Sequence, residues 1–221
     1  RLSSWGCRVI YPEITPEKVT MAPIEKISDS VYYTLVGSRY ESEQVPSDVE
    51  FDRLVDEFYP TFRRVGEEMI DLGLTRGTAG CMSLRTNGSI LVTSTRAQVG
   101  SLSKDEISLI VRREGDKFCW QGARKPSSES PLFYELYSKT GNSGAIIHSH
   151  CPRITYHPSM GRYATDEYIR YGVFGQSSKV LRVLENNDGF AIMKLHGELS
   201  MGEGLLDSLN NLKRRLEEAH E

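Results

Sequence analysis

Cysteine is scarce in this chain, four among 221 residues. Cys7, Cys81, Cys119 and Cys151 are widely spaced and form no C-x-x-C pair. That usage argues against a disulfide-held fold and predicts a reduced, cytoplasmic setting. Long apolar runs are missing as well: none approaches the roughly 20 residues that a membrane span needs, so no membrane partner is expected. Nor is there an excess of positive charge. Lys and Arg number 27 against 30 Asp and Glu, a formal net charge of −3, which gives no general reason to expect a nucleic-acid partner. Local basic clusters such as Arg112-Arg113 and Lys213-Arg214-Arg215 read as solvated faces. No charged stretch followed by an apolar run opens the chain at Arg1, so no secretory leader is expected there. The lack of a first methionine reads as a segment of a longer chain. Internal repeats and low-complexity tracts are absent.

What remains is the composition of a globular domain, 38% hydrophobic and 26% charged. A single core can serve a chain of up to roughly 250 residues. The expectation is therefore one domain over residues 47–221, preceded by an extension over residues 1–46 whose role the sequence does not assign. The extension carries Pro12, Pro16, Pro23 and Pro46 and one strand-like run, Val31 to Val36.

From Ser47 the pattern changes. Phe51, Leu54, Val55, Phe58, Phe62, Val65, Met69 and Leu72 recur at three and four residues, the stripe of an amphipathic helix, with Gly73 placed to stop it and Pro60 to kink or divide it. Cys81 to Arg85 and Ile90 to Thr93 read as a hairpin about Asn87-Gly88. Ser103 to Glu106 fits a capping box that opens a short helix. A second hairpin is predicted from Leu109 to Arg113 and Lys117 to Trp120. Pro126 to Gly141 reads as a loop entering a helix, and Ala145 to His150 and Gly189 to Leu195 as strands. Leu205, Leu209, Leu212 and Leu216 mark a closing helix. Strands interleaved with helices, and two hairpins, predict an α/β or α+β layered fold around a largely antiparallel or mixed sheet.

His148 and His150 stand two apart in an apolar strand, and the period of two sends both imidazoles to one face. An isolated H-x-H more often supplies two ordinary hydrogen-bonded histidines. Here a third, His196, ends another apolar strand just before Gly197, in a chain with five histidines. Three imidazoles with an open fourth position suit catalytic zinc. His157 and His220 read as surface residues or residues behind the site. Glu129, at the start of a predicted helix, can act as an acid–base carboxylate or merely complement the helix dipole.

These pieces, in order, resemble the class II aldolase/adducin family: GLTRGTAGCMSLR from Gly73 to Arg85, LVTST from Leu91 to Thr95, PSSE from Pro126 to Glu129, Ala145 to His150, and Leu195-His196-Gly197. The resemblance covers about Phe51 to His220 and implies an α/β/α domain. It also implies one divalent metal per chain, zinc by the family's habit, on His148, His150 and His196, with Glu129 as general base and acid. The implied activity is an aldolase, a carbon–carbon lyase acting through a metal-stabilised enediolate of a small hydroxy-carbonyl substrate. Epimerase, dehydratase or decarboxylase chemistry at the same site, or a non-catalytic adducin-like module, is the alternative. Gly80, Ser94, Thr95, Ser127 and Ser128 are implied phosphate contacts, and a homotetramer is the implied assembly.

The chain departs from the family pattern in three places. Cys81 stands where the family usually has Asn. Arg96 stands where it has Gly, and either grips an anion with its planar fork or fills the pocket. The interval from His150 to His196 is shorter than in the sugar-phosphate aldolases and leaves Tyr156, Tyr163, Tyr168 and Tyr171 unmatched to a tyrosine proton donor.

Overall fold

A computed structural model describes residues 40–86, 88–140, 144–170 and 172–219. The predicted strand at Val31 to Val36, Asn87 of the first hairpin, Tyr171 and His220 lie outside the described residues. Among the described residues, eight strands form one sheet and five α-helices cover it. The strands are β1 (Glu41–Gln44), β2 (Cys81–Thr86), β3 (Ser89–Thr93), β4 (Ile107–Glu114), β5 (Lys117–Gln121), β6 (Ala145–Ser149), β7 (Phe190–Met193) and β8 (Gly197–Gly202). The helices are α1 (Val49–Asp71), α2 (Ser130–Thr140), α3 (Pro152–Thr155), α4 (Ser177–Glu185) and α5 (Leu205–Glu218). Spatial order across the sheet is β1-β5-β4-β3-β2-β6-β8-β7. Every pairing is antiparallel except β1 with β5.

The layering follows from strand alternation. In β6, Ala145 and Ile147 join one core with Phe62, Val65 and Met69 of α1 and Leu209 and Leu212 of α5. Ile146, between them, joins the opposite core with Leu132, Phe133 and Leu136 of α2 and Val180 and Leu184 of α4. Two faces so covered make the predicted α/β/α sandwich. Each fully buried Leu, Ile or Phe contributes roughly 1.5–3 kcal/mol over its exposed state.

Helix α1 shows how local chemistry sets the ends. Asp48 caps it, accepting the Phe51 N–H at 2.9 Å. At the other end Gly73 takes φ +67°, which a side chain disfavours. The Gly73 N–H then reaches the Ile70 carbonyl and the Leu74 N–H the Met69 carbonyl, both at 2.9 Å, closing a Schellman motif. Of the two outcomes expected at Pro60, a kink or a division, the division does not occur: the helix runs unbroken through it. Phe62, Val65 and Met69 beyond it are fully buried. That packing outweighs the one hydrogen bond that proline removes.

Two further differences bear on the site. Residues 41–44, assigned to the extension, form strand β1 against β5, so the sheet begins before Ser47. The strand expected to run through Leu195 ends at Met193. Residues 194–196 form a turn, and a separate strand β8, not read from the sequence, starts at Gly197.

Candidate active site

Three neighbouring segments bring the histidines together. His148 lies in β6, opposite Cys81 of β2 on one side and Leu199 of β8 on the other. His150 follows just past the strand's end, its N–H held by the Leu74 carbonyl at 3.1 Å. His196 closes the β7–β8 turn, with its N–H on the Met193 carbonyl at 2.8 Å. Leu195 before it adopts φ +57°, a left-handed conformation that costs a branched residue about 1–3 kcal/mol and marks a constrained position. The correction to the predicted strand is therefore what delivers His196: a turn, not a strand end, aims the ring.

The three ring centroids are 4.4, 4.9 and 5.3 Å apart. One nitrogen from each ring lies within 4.8 Å of the others. Gly197 makes this possible. A Cβ there would stand 2.3 Å from the Ser149 carbonyl oxygen, 3.0 Å from His148 Cε1 and 3.3 Å from His150 Nδ1. The rings and β8 close over a position that has room only for hydrogen.

His148 is fixed in one tautomer. Its Nδ1–H donates to the Glu198 backbone carbonyl at 2.8 Å, leaving Nε2 with its lone pair. That Nε2 is buried and has no hydrogen-bond partner among the described residues. Burial holds the imidazole neutral by pushing its pKa down to about 4. A buried neutral imidazole nitrogen facing two more imidazoles fits a divalent cation by donor chemistry, so the residues present fit the metal.

Glu129 joins the trio from the start of α2, with Oε1 at 3.8 Å from His196 Nε2. The side chain is almost wholly buried, Oε2 has no hydrogen-bond partner among the described residues, and burial pushes its pKa up to about 8. Ser127 Oγ accepts the Glu129 N–H at 3.3 Å and also interacts with the Cys81 thiol. Burial, with the Glu129 carboxylate second, raises that thiol well above its ordinary value.

The other predicted contacts divide. The Ser94–Thr95 turn lies beside the Pro126–Glu129 loop: Ser94 bridges Pro126, the Thr95 N–H donates to the Lys125 carbonyl at 2.8 Å, and the Ser127 N–H to the Thr93 carbonyl at 3.1 Å. Ser94 Oγ turns inward to share a 3.0 Å bond with Ser108 Oγ and braces the turn. Ser127 and Ser128 are buried beside Glu129, while Arg96 is exposed at φ +61°. Gly80 packs on the His148 carbonyl. His157 is on the surface, bonded to Ser159 Oγ at 2.9 Å. Of the tyrosines, Tyr163 is committed to Glu218 and Arg215, whereas the Tyr168 ring lies 6.2 Å from that of His196.

Sequence reasoning misses two supporting residues. The Tyr40 hydroxyl contacts the Pro126 and Ser127 carbonyl oxygens at 2.7 and 3.1 Å and so props the PSSE loop. Glu198 anchors the strand crossing behind the histidines. A glutamate two residues after His196, in an otherwise uncharged β8, is the available signal.

The sandwich thus carries a triad of histidines, two buried and His150 half-buried, with the donor set and spacing that could hold a metal ion. Residues 61–219 match the class II aldolase and adducin N-terminal domain model, and the chain belongs to that family. It is 34% identical over 95 residues to the 5-methylthioribulose-1-phosphate/5-deoxyribulose-1-phosphate aldolase of Rhodospirillum rubrum, across 43% of this chain and 41% of that protein. It is 30% identical over 98 residues to the 5-deoxy-D-ribulose 1-phosphate aldolase of Bacillus thuringiensis, across 43% and 45%. The chain thus matches less than half the length of these relatives. The crystal structure of L-fuculose-1-phosphate aldolase from Thermus thermophilus shares the fold, with a TM-score of 0.58 and 24% identity over 75% of this chain and 92% of that one. No described helix is long and apolar enough to cross a membrane.

Proposed function

We propose that this domain is a metal-dependent aldolase acting on a small hydroxy-carbonyl compound of the sugar-phosphate type. The observation that carries the reading is the triad of buried His148 and His196 and half-buried His150, with Glu129 Oε1 3.8 Å from His196. The three imidazoles would hold the divalent metal, zinc by their borderline-soft nitrogen donors, and a cation bound there supplies Lewis-acid polarisation of the substrate's oxygens.

The protein's own groups do the rest. Glu129 Oε2, buried and without a hydrogen-bond partner among the described residues, is the atom that takes and returns a proton at the substrate carbon or hydroxyl. Burial raises its pKa to about 8 in the metal-free protein, and the charge of a bound cation would draw it back toward neutrality. The Thr95 and Ser127–Ser128 hydroxyls receive the phosphate, the Thr95 and Ser127 amides being bonded to the Lys125 and Thr93 carbonyls, and Arg96 reaches it from the exposed side of the same turn. Relatives named as ribulose-phosphate aldolases support a phosphorylated ketose as substrate. By family resemblance we assign a homotetramer, and the sparse, unpaired cysteines favour a cytoplasmic location. The extension is assigned residues 1–46, with its last residues joining the sheet as β1.

The test is release of an aldehyde from phosphorylated ketoses by protein reloaded with zinc, followed with a coupled dehydrogenase and by mass spectrometry of the products. Cleavage that falls at least about 100-fold in Glu129→Gln, within the range for general acid–base groups, supports the reading. An unbroken carbon skeleton with loss of water, loss of carbon dioxide or inverted configuration would replace it with the corresponding reaction. Failure of the wild type to take up any divalent metal would leave an adducin-like binding module.

A further inference from the structure

We propose that Glu198 is the positioning residue that sets the geometry of all three histidines from the far side of the sheet; the inference rests on the metal-site reading above. Neighbouring Leu199 and Met201 belong to the core on the α2 face, the histidine side. Glu198 and Ser200, in the alternate register, face the α5 side, where Ser200 Oγ donates to the Ser208 carbonyl at 2.8 Å. The Glu198 side chain therefore reaches no substrate.

What it does reach is the backbone and side chains that frame the triad. Oε2 accepts the Ser149 hydroxyl at 2.7 Å and the Cys151 N–H at 3.0 Å, one residue on either side of His150. Oε1 accepts the Thr155 hydroxyl. The short helix α3 is thereby tied to the strand end that carries His150. The Glu198 backbone carbonyl takes the His148 Nδ1–H, and along the chain only Gly197 separates Glu198 from His196. Ser149 and Glu198 also face each other in the β6–β8 register. The Glu198 side chain thus fixes the chain on both sides of His150. By holding β8 against β6 it also keeps its own backbone carbonyl, which any residue at 198 would supply, in place for His148 and the strand start in place after His196.

Burial argues against a packing role alone. Glu198 is fully buried, and a carboxylate in that position is costly unless several donors satisfy it. An apolar residue would fill the same space at lower cost, but it would leave the Ser149 and Thr155 hydroxyls and the Cys151 N–H without an acceptor. Those are the groups that hold the ligand-bearing chain in place.

The experiment measures zinc affinity by competition with a chromophoric chelator, the visible spectrum of the cobalt(II)-substituted protein, and the melting temperature of the metal-free protein. Wild type is compared with Glu198→Gln, Ser149→Ala and Ser200→Ala. Gln keeps the shape but replaces one acceptor oxygen with a donor that opposes the donors already there. We expect zinc affinity to fall about 10–100-fold in Glu198→Gln, the usual consequence of losing a group that orients metal ligands. The cobalt bands should shift with it, and Ser149→Ala should show a smaller loss of the same kind. Ser200→Ala loses a buried hydrogen bond on the same strand and face, and should lower the melting temperature while leaving affinity and spectrum unchanged.

Wild-type affinity and spectrum in Glu198→Gln would overturn the proposal. So would an equal loss of affinity in Ser200→Ala. Should Glu198→Gln fail to fold, Ser149→Ala combined with Thr155→Val decides: weakened zinc binding with a shifted spectrum supports the role, and wild-type values remove it. A wild type that binds no metal at all is a different result, and it sinks the metal-site reading itself.

Discussion

His148 donates its Nδ1–H to the backbone carbonyl of Glu198 at 2.8 Å, and that single bond decides which nitrogen of the ring faces the site. A carbonyl can only accept, so Nδ1 carries the hydrogen and Nε2 the lone pair. Replacing His148 with Ala should reduce the bound divalent metal from about one per chain to near zero, read by plasma mass spectrometry on protein purified without chelator. His157→Ala, a histidine bonded to Ser159 on the surface, should leave the metal content at the wild-type level. Equal loss in both variants would show that the metal is held by the chain's histidines in general and not by the triad.

Glu129 yields a prediction about stability with a definite sign. In the metal-free protein its pKa is pushed from the ordinary 4.5 up to about 8 by burial. Between those values the folded chain holds a proton that the unfolded chain has released, so this group's contribution to stability falls as pH rises through that window. Glu129→Gln removes the cost. With metal chelated, the melting temperature of the variant minus that of wild type should be near zero or negative at about pH 4.5, and should climb steadily to about pH 8. The full effect is on the order of a few kcal/mol. A difference that stays flat across that window would mean that the carboxyl does not carry this penalty.

How much of this is legible in the sequence depends on the range of the signal. Periodicity marks α1, α5, both hairpins and β6, because each buries a regular stripe or alternation against the sheet. It fails at β7–β8, where Ala191, Ile192, Met193 and Leu195 read as one apolar run. Leu195 in the left-handed region is a break that composition does not signal. It passes over α4, a short amphipathic helix preceded by glycines, and β1, four polar residues whose strand character comes only from pairing with β5. Among site residues, the histidines and Glu129 stand out because their chemistry is local and recognisable. Tyr40 and Glu198 do not, since their roles lie in contacts made across 86 and 49 residues of chain.

Gly197 is a position where packing alone forbids a side chain. An added Cβ would meet the Ser149 carbonyl oxygen at 2.3 Å, backbone that cannot rotate away, and would press on both His148 and His150. Gly197→Ala must push β8 from β6 at the point where the ligands converge. Overpacking of this kind costs about 1–3 kcal/mol, and the displacement should weaken zinc binding by more than about 10-fold, since disturbances of the groups that orient metal ligands carry that size of effect. Chemical denaturation and chelator competition measure the two separately. A variant that loses stability but keeps its metal affinity would show that the strands separate without moving the rings.

Tyr40 separates support of the substrate loop from the chemistry itself. Its hydroxyl lies against the Pro126 and Ser127 carbonyl oxygens, while its ring rests edge-on to Phe118 at 5.3 Å and under Lys125 Nζ at 4.5 Å. Tyr40→Phe retains both ring contacts and removes only the hydroxyl. The stability loss should be about 0.5–1.5 kcal/mol, the ordinary worth of a buried hydrogen bond. The kinetic effect should fall on binding, because the propped loop carries Ser127 and Ser128, whereas the Glu129 carboxyl is held by burial at the start of α2. On that reasoning KM for a phosphorylated ketose rises several-fold while kcat changes by less than about twofold. The split should vanish with an unphosphorylated substrate analogue, which has no anion for the loop to receive. If kcat falls as far as KM rises, Tyr40 must also be setting the position of Glu129, and the loop and the acid–base group then move as one unit.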